Sequence, residues 1–495
     1  MAETTKNLPK SSKTLAQKMV HGGFWISFIK IIRKVFSLIR LIIIGRILAP
    51  SDFGLMGIAL LTMSALETFS TTGFNQALIQ KKEKTENYLD AAWTVLIIRG
   101  FIIFIMLYLT APYVAVFFHS PTVQPIIRVL GFTIFIHAFA NIGVVYFQKE
   151  LEFNKVFIYR FIGVFTNFIV AILAAFILRS VWALVLGLFA ENVVNLIVSY
   201  LIHSYRPHFS KDFGKAKELF SFGRWVLGSN ILVFFGEHID DILVGRVLSA
   251  VALGFYQMAY RISNMLETEI TQVISSVAFP AYTKIQDQRV RLKKAYFRIM
   301  RLTITISMPI TVGIIFLAPE FTQIFLGEKW IPMVTAMQLL AVAGLIKSVV
   351  STGSPLFTGS GYPNYEFYMQ LIRGLIILLV IYPLIWFKGI SGAALGVILS
   401  IAGMLIIWYP FSQRIIRTSW RKYFETFWPP CFCSLLMAGS IYIAKLYCNP
   451  IGQPLGLAIL IFISIVIMSM GVYIASICLL QKYYPHCNRH RNGNS

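Results

Sequence analysis

The chain has 495 residues, 57% of them hydrophobic and only 13% charged, with a mean hydropathy of +0.71. Soluble domains carry about a quarter charged residues, so the composition excludes a soluble globular fold and leaves a polytopic membrane protein. The net charge of +23 raises nucleic-acid binding, but the basic residues gather in the connections on one side of the predicted spans. That placement assigns the excess to topology and to attraction for anionic lipid heads, with no nucleic-acid partner expected.

In chain order, the first 19 residues are polar, bear lysines and lack an apolar core, so no cleavable signal is expected and the first apolar helix is its own insertion signal. Apolar stretches of spanning length follow near 21–48, 53–79, 90–118, 125–148, 156–178 and 181–203. A second set lies near 220–245, 252–280, 295–318, 331–358, 365–387 and 390–413, and a last pair near 423–446 and 454–481. The fold class is therefore an all-α membrane protein of about fourteen transmembrane helices. The nine Trp residues fall near span ends, where an amphipathic ring suits the headgroup level. The five Cys lie in the last two spans and their flanks, and no disulfide or metal site is expected from them.

The chain reads twice. Gly23, Gly45, Arg46, Leu48, Gly54, Ala59, Leu66, Glu67 and Thr68 recur about 200 residues later as Gly223, Gly245, Arg246, Leu248, Gly254, Ala259, Leu266, Glu267 and Thr268, without a gap. The register then drifts, and Leu186-Gly187 and Tyr200 return as Leu395-Gly396 and Tyr409. Duplication of a large apolar unit is a transporter signature, with the substrate path between the halves. The expected organisation is an N-terminal six-helix lobe at 1–205 and a cytoplasmic linker at 206–219, within a short interfacial helix from Arg206 to Ser221. A second six-helix lobe at 220–413 follows, then two additional transmembrane helices and a cytoplasmic tail at 414–495. An even span count per unit makes the copies enter the membrane from the same side, as a parallel repeat.

Charges inside spans are the candidate site. Lys30, Arg33, Lys34, Ser37 and Arg40 fall within an arc of about 120° on the first helix, a cationic stripe. A basic residue at mid-span costs roughly 2.5–3.5 kcal/mol even on lenient insertion scales, so the stripe is expected to face protein or water rather than lipid. The 200-residue offset places Glu237, Asp240 and Asp241 on the matching helix of the second lobe. One reading makes the basic wall the substrate-binding surface for an anionic head group and the acidic wall a site of coupling to H+ or Na+. Another pairs Arg40 or Lys34 with Asp240 or Asp241 as a structural lock, and a third has the basic side chains snorkel to the interface. Glu67 and Glu267 are the further coupling candidates because both copies keep a carboxylate, with structural pairing as the alternative. Arg99, Glu191, Arg261, Glu269, Arg301, Lys347, Glu366 and Arg373 are weaker candidates, and His137 reads as a core histidine or a proton carrier.

Loop charge sets orientation. Twenty-five Lys and Arg lie in connections on the side of the N-terminus, against six on the other side, namely Arg46, Arg179, Arg246, Lys329, Lys388 and Lys445. Both termini are thus expected to be cytoplasmic. No G-x-x-x-x-G-K-[ST] loop or H-E-x-x-H helix is present and connections are short, so neither ATP hydrolysis by a phosphate loop nor an extramembrane catalytic domain is expected. The reading is a transporter without cofactor, not an enzyme.

Four motifs add a family resemblance: Gly45-Arg46-Ile47-Leu48-Ala49-Pro50-Ser51-Asp52-Phe53-Gly54, Phe147-Gln148-Lys149-Glu150-Leu151-Glu152-Phe153-Asn154-Lys155, Phe279-Pro280-Ala281-Tyr282-Thr283-Lys284-Ile285-Gln286-Asp287, and Phe325-Leu326-Gly327-Glu328-Lys329-Trp330. In this order they resemble the polysaccharide-transport branch of the multidrug/oligosaccharidyl-lipid/polysaccharide exporter superfamily, in particular the colanic-acid and O-antigen type flippases, from about Lys18 to Arg421. The resemblance implies two six-helix bundles in a V, as in the superfamily's multidrug exporters, plus two extra helices. It also implies flipping of an undecaprenyl-pyrophosphate-linked oligosaccharide across the bacterial inner membrane by alternating access. Polysaccharide polymerase and chain-length machinery are the implied protein partners, and the surrounding membrane lipids the other contacts. A cation-coupled multidrug exporter of the same superfamily is the alternative, which an acidic or aromatic wall would suit better than the Lys30 to Arg40 stripe.

Overall fold

The computed structural model describes residues 15–70, 86–150, 152–210 and 233–483, and every regular element among them is helical. Helix α1 spans Leu15–Ile47, α2 Pro50–Phe69, α3 Glu86–Phe117, α4 Val123–Ala138, α5 Phe153–Leu178 and α6 Trp182–Ile202. Residues 233–247 form α7. Then α8 covers Ala250–Lys284, α9 Arg289–Phe321, α10 Val334–Ser351, α11 Pro363–Ile416, α12 Trp420–Tyr447 and α13 Leu455–Tyr483. Nine helices among the described residues are long and apolar enough to cross a membrane. Helix α1 is not among them, because Lys30, Arg33, Lys34 and Arg40 interrupt its apolar surface.

Helix α11 holds two of the expected spans. Its 54 residues would make a rod of about 80 Å, far beyond a hydrocarbon core of roughly 30 Å. Gly389, at φ 57° and ψ −136°, breaks it between the stretches expected at 365–387 and 390–413. That backbone conformation is closed to side-chain-bearing residues, so a glycine is required at the corner.

The chain divides into two compact units, residues 1–48 with 58–234 and residues 49–57 with 235–495. The first turns of α2 thus belong to the second unit, and the sequence there explains why. Pro50 takes the first helical position, where its missing N–H costs nothing, and the Asp52 carboxylate accepts from the Ala49 N–H at 3.0 Å, half of a capping box. Ser249 caps α8 by accepting from the Ala252 N–H at 3.1 Å. Gly54 then lies directly on the carbonyl of Ala250, and Gly254 on the carbonyl of Pro50. A Cβ at Gly54 would stand 1.6 Å from the Ala250 oxygen, and one at Gly254 would stand 2.0 Å from the Pro50 oxygen. The contact is reciprocal at the same 200-residue offset that the sequence shows. Trp330, fully buried, meets Phe53 and Phe255 edge-on at 5.2 and 5.8 Å and fills the space beside the crossing.

The C-terminal pair docks on α9 within the second unit. Leu317 packs with Cys433, Met437, Ile441, Ile465 and Tyr473, and the Tyr473 hydroxyl donates to the Thr305 carbonyl at 2.8 Å. Lys445 pairs with Glu320 at 2.5 Å and donates to the Phe316 carbonyl at 3.0 Å. Glu320 is almost wholly buried, so this cation is what makes its charge tolerable there.

The interfacial helix expected from Arg206 does not begin there. Residues 203–210 are non-helical and strapped to the ends of α3, α4 and α6, while 211–221 lie outside the described residues. Oδ1 of Asp90 accepts from both the Tyr205 hydroxyl at 2.6 Å and the His208 N–H at 2.7 Å, and Thr94 Oγ1 accepts from the Ser210 N–H at 3.0 Å. Asn141 donates to the Tyr205 carbonyl at 2.6 Å. Side chains take up the N–H groups of Tyr205, His208 and Ser210, and Pro207 lacks one, so local side-chain bonds compete with helical ones along this segment. His203 sits in a niche that Gly143 leaves open, stacked on Tyr146, and its Nδ1 accepts from the Tyr205 N–H at 3.0 Å. Burial, together with the cations of Lys155 and Arg206, pushes the His203 imidazole below its usual pKa, against a smaller opposing pull from Glu152.

Candidate functional site

In the first unit, α1 lies along α5 through aromatic rings. Phe28 stacks on Phe157 at 5.6 Å, and Phe36 meets Phe161, Phe165 and Phe168 at 6.1, 5.9 and 5.0 Å. This seam fixes the rotation of α1 and so the direction of its basic stripe. Lys30 and Arg33 are exposed, and Lys34 and Arg40 half-buried.

Arg40 is engaged at depth. Its Nη1 donates to Oδ1 of Asn167 on α5, and Nδ2 of Asn167 donates to Oε2 of Glu191 on α6 at 2.6 Å. Asn167 is only 4% exposed. Gly187 makes its place: a Cβ there would come within 2.7 Å of the Ala171 Cβ and 3.1 Å of Asn167 Oδ1. His137 on α4 lies within electrostatic reach of Glu191. Farther along α5, Arg160 is exposed and has the like-charged Arg33 as its neighbour. The like charges of Arg33 and Arg160 add to one local positive potential.

In the second unit, Asp240 on α7 is 5% exposed and accepts from the Tyr256 hydroxyl at 2.7 Å, with Arg373 of α11 as its nearby cation. Asp241 lies 3.5 Å from His238 Nδ1, and Glu237 is exposed. Each of the two charges related by the repeat, Arg40 and Asp240, thus has a partner within its own unit.

Glu67 sits near the end of α2 with Arg99 of α3 as its neighbouring cation. Arg99 also donates to the Ser70 carbonyl at 2.8 Å and to the Glu67 carbonyl at 3.0 Å, so it caps the last turn of α2. The Glu267 side chain lies outside the described residues, although its backbone is part of α8. Sequence reasoning ranked Glu191 low and passed over Asn167, Arg160 and Tyr256. Asn167 and Glu191 did carry a signal, because a polar side chain in an apolar span needs a partner.

Residues 12–335 match the family described as "Polysaccharide biosynthesis protein". The chain is 23% identical over 429 residues to the lipopolysaccharide biosynthesis protein WzxC of Escherichia coli (strain K12), covering 85% of this chain and 86% of that one. It is 24% identical to the teichuronic acid biosynthesis protein TuaB of Bacillus subtilis (strain 168), covering 86% of this chain and 88% of the relative. Among solved structures, the lipid II flippase MurJ in an inward closed conformation superposes with a TM-score of 0.74 at 13% identity, over 92% of this chain and 98% of its own. An inward-facing multidrug resistance MATE family transporter superposes with a TM-score of 0.62 at 16% identity, over 77% and 94%. At these identities the superpositions establish the fold.

Proposed function

The chain belongs to the polysaccharide biosynthesis protein family, and from that premise we propose that it flips an undecaprenyl-pyrophosphate-linked oligosaccharide across the bacterial inner membrane. The observation that carries this reading is the row of cations on α1 and α5, Lys30, Arg33, Lys34, Arg40 and Arg160, set in a multi-pass membrane protein. A pyrophosphate that leaves water loses several kcal/mol of hydration, and fixed guanidinium and ammonium groups return part of it. The prenyl tail needs no such site, because it stays in hydrocarbon. Access alternates between the membrane faces, biased by differential binding of a few kcal/mol. Coupling to H+ or Na+ falls to the acidic residues Glu237, Asp240 and Asp241, with Glu67 and Glu267 as the second pair. Both termini are cytoplasmic in this reading, the partners are the polymerase and chain-length machinery, and no reaction is catalysed.

Deletion of the gene followed by assay of lipid-linked repeat units tests this. The expected result is their accumulation on the cytoplasmic leaflet with loss of surface glycan. Unchanged lipid-linked sugar together with hypersensitivity to cationic drugs overturns it in favour of a multidrug exporter.

A further inference from the structure

We propose that Asn167 and Glu191 are positioning residues for Arg40, which orient its guanidinium and set how tightly the site holds an anionic head group. The inference rests on the reading that the substrate head is a diphosphate held by the basic residues. Its basis is a directional chain inside the first unit: the Arg40 guanidinium donates to the Asn167 carbonyl oxygen, and the Asn167 amide nitrogen donates to Glu191 at 2.6 Å. The carboxamide has one workable orientation here. Flipped, it would turn its NH2 toward the guanidinium and its oxygen toward the carboxylate, losing both bonds.

The interposed amide separates two opposite charges that would otherwise close into a bidentate pair. A closed Arg40–Glu191 pair would leave the cation with little field for a ligand. With Asn167 between them, Glu191 offsets enough of the charge for Arg40 to reside in a span, and its carboxylate still repels any anion that approaches. A carrier gains from this arrangement, because a site must bind well enough to load and weakly enough to unload. The packing is built for the amide: Asn167 is 4% exposed, and Gly187 of α6 leaves the room that admits it.

The test uses the full-length protein in nanodiscs, with undecaprenyl diphosphate as the anionic probe and undecaprenol as its neutral counterpart. Glu191→Gln keeps an acceptor oxygen for Asn167 and removes the competing charge. It is expected to bind the diphosphate about tenfold tighter, the size of one unit charge removed at roughly 10 Å, with undecaprenol affinity unchanged. Asn167→Asp, of equal volume, puts a carboxylate directly on Arg40 and is expected to weaken diphosphate binding about tenfold. It carries the test alone if the first variant fails to fold. A merely structural role would shift both probes together. Diphosphate affinity unchanged or lowered in Glu191→Gln, or unchanged in Asn167→Asp, overturns the inference. Equal affinity of the wild type for both probes instead overturns the functional reading beneath it, before either variant is compared.

Discussion

Replacing Gly54 by alanine tests the reciprocal crossing of α2 and α8. The added methyl would lie 1.6 Å from the Ala250 oxygen. Carbon and oxygen in contact need about 3.3 Å, so the helices must part by roughly 1.5–2 Å at the crossing. Neither neighbour can swing aside, because the obstacle is backbone. Parting the helices also loosens Trp330 from Phe53 and Phe255, so the cost should reach the upper end of the usual overpacking range, about 3 kcal/mol. Gly254→Ala, facing the Pro50 oxygen at 2.0 Å, should cost nearly the same. The double variant should cost less than the sum, since the first methyl has already made the gap the second one needs. Gly374→Ala is the control: a methyl there would meet nothing within 4 Å, so the change should be neutral or stabilising by up to about 1 kcal/mol. Thermal unfolding of the purified variants in detergent reads all four. Wild-type stability in Gly54→Ala, or strict additivity in the double variant, would refute the crossing.

Lys445→Met strands the buried Glu320 carboxylate and should destabilise the protein by about 3–5 kcal/mol, most of which Glu320→Gln in the same chain should restore. Equal thermal stability of the single and double variants would contradict that pairing. The strap at 203–210 should loosen in acid. Its His203 is held below the usual value of about 6.5, so the closed strap binds fewer protons than the open one, and its stability, full above that pH, declines as pH falls through it. The protection factors of the Tyr205, His208 and Ser210 amides against hydrogen exchange, taken relative to the intrinsic rate at each pH, should therefore fall below about pH 6.5, and His203→Gln should flatten that profile. Gly389→Ala forces a side chain into a glycine-only conformation and should cost about 1–3 kcal/mol, read as a lowered unfolding temperature.

Much of the fold was legible because the membrane makes local signals strong. Spans follow from length and apolarity alone, and the corner at Gly389 sits where the apolar run is interrupted by Lys388 and a glycine. The repeated Gly54 and Gly254 were visible as a pair, and their shared cause is a single contact that each makes with the other's helix. The site was legible only by sign of charge. That Arg40 would meet Asn167 depends on the rotation of α1 against α5, which the Phe36 seam sets through contacts 125 to 132 residues apart in sequence. The extended course of residues 206–210 was hidden from the sequence for a similar reason. The groups that hold 203–210 extended, Asp90, Thr94 and Asn141, lie more than 60 residues away in sequence.

The inversion of charge between the two copies has a physical logic that the partners make plain. A lobe that carried a bare cation or a bare carboxylate at depth would pay for it at insertion, whatever its later role. Each unit instead answers the deep charge of its first helix from within. Arg40 is met by Asn167 and, through it, Glu191, while Asp240 is met by Tyr256 and Arg373. The sign of the deep charge could therefore reverse between the copies without cost to either fold, provided its partners reversed with it. What the partners do not cancel is the outer part of each helix. Lys30 and Arg33, with Arg160 beside them, stay exposed in one unit, and Glu237 stays exposed in the other. Those exposed charges add to the field of each unit, and substitutions there should alter anion affinity with less effect on stability than substitutions at Arg40 or Asp240.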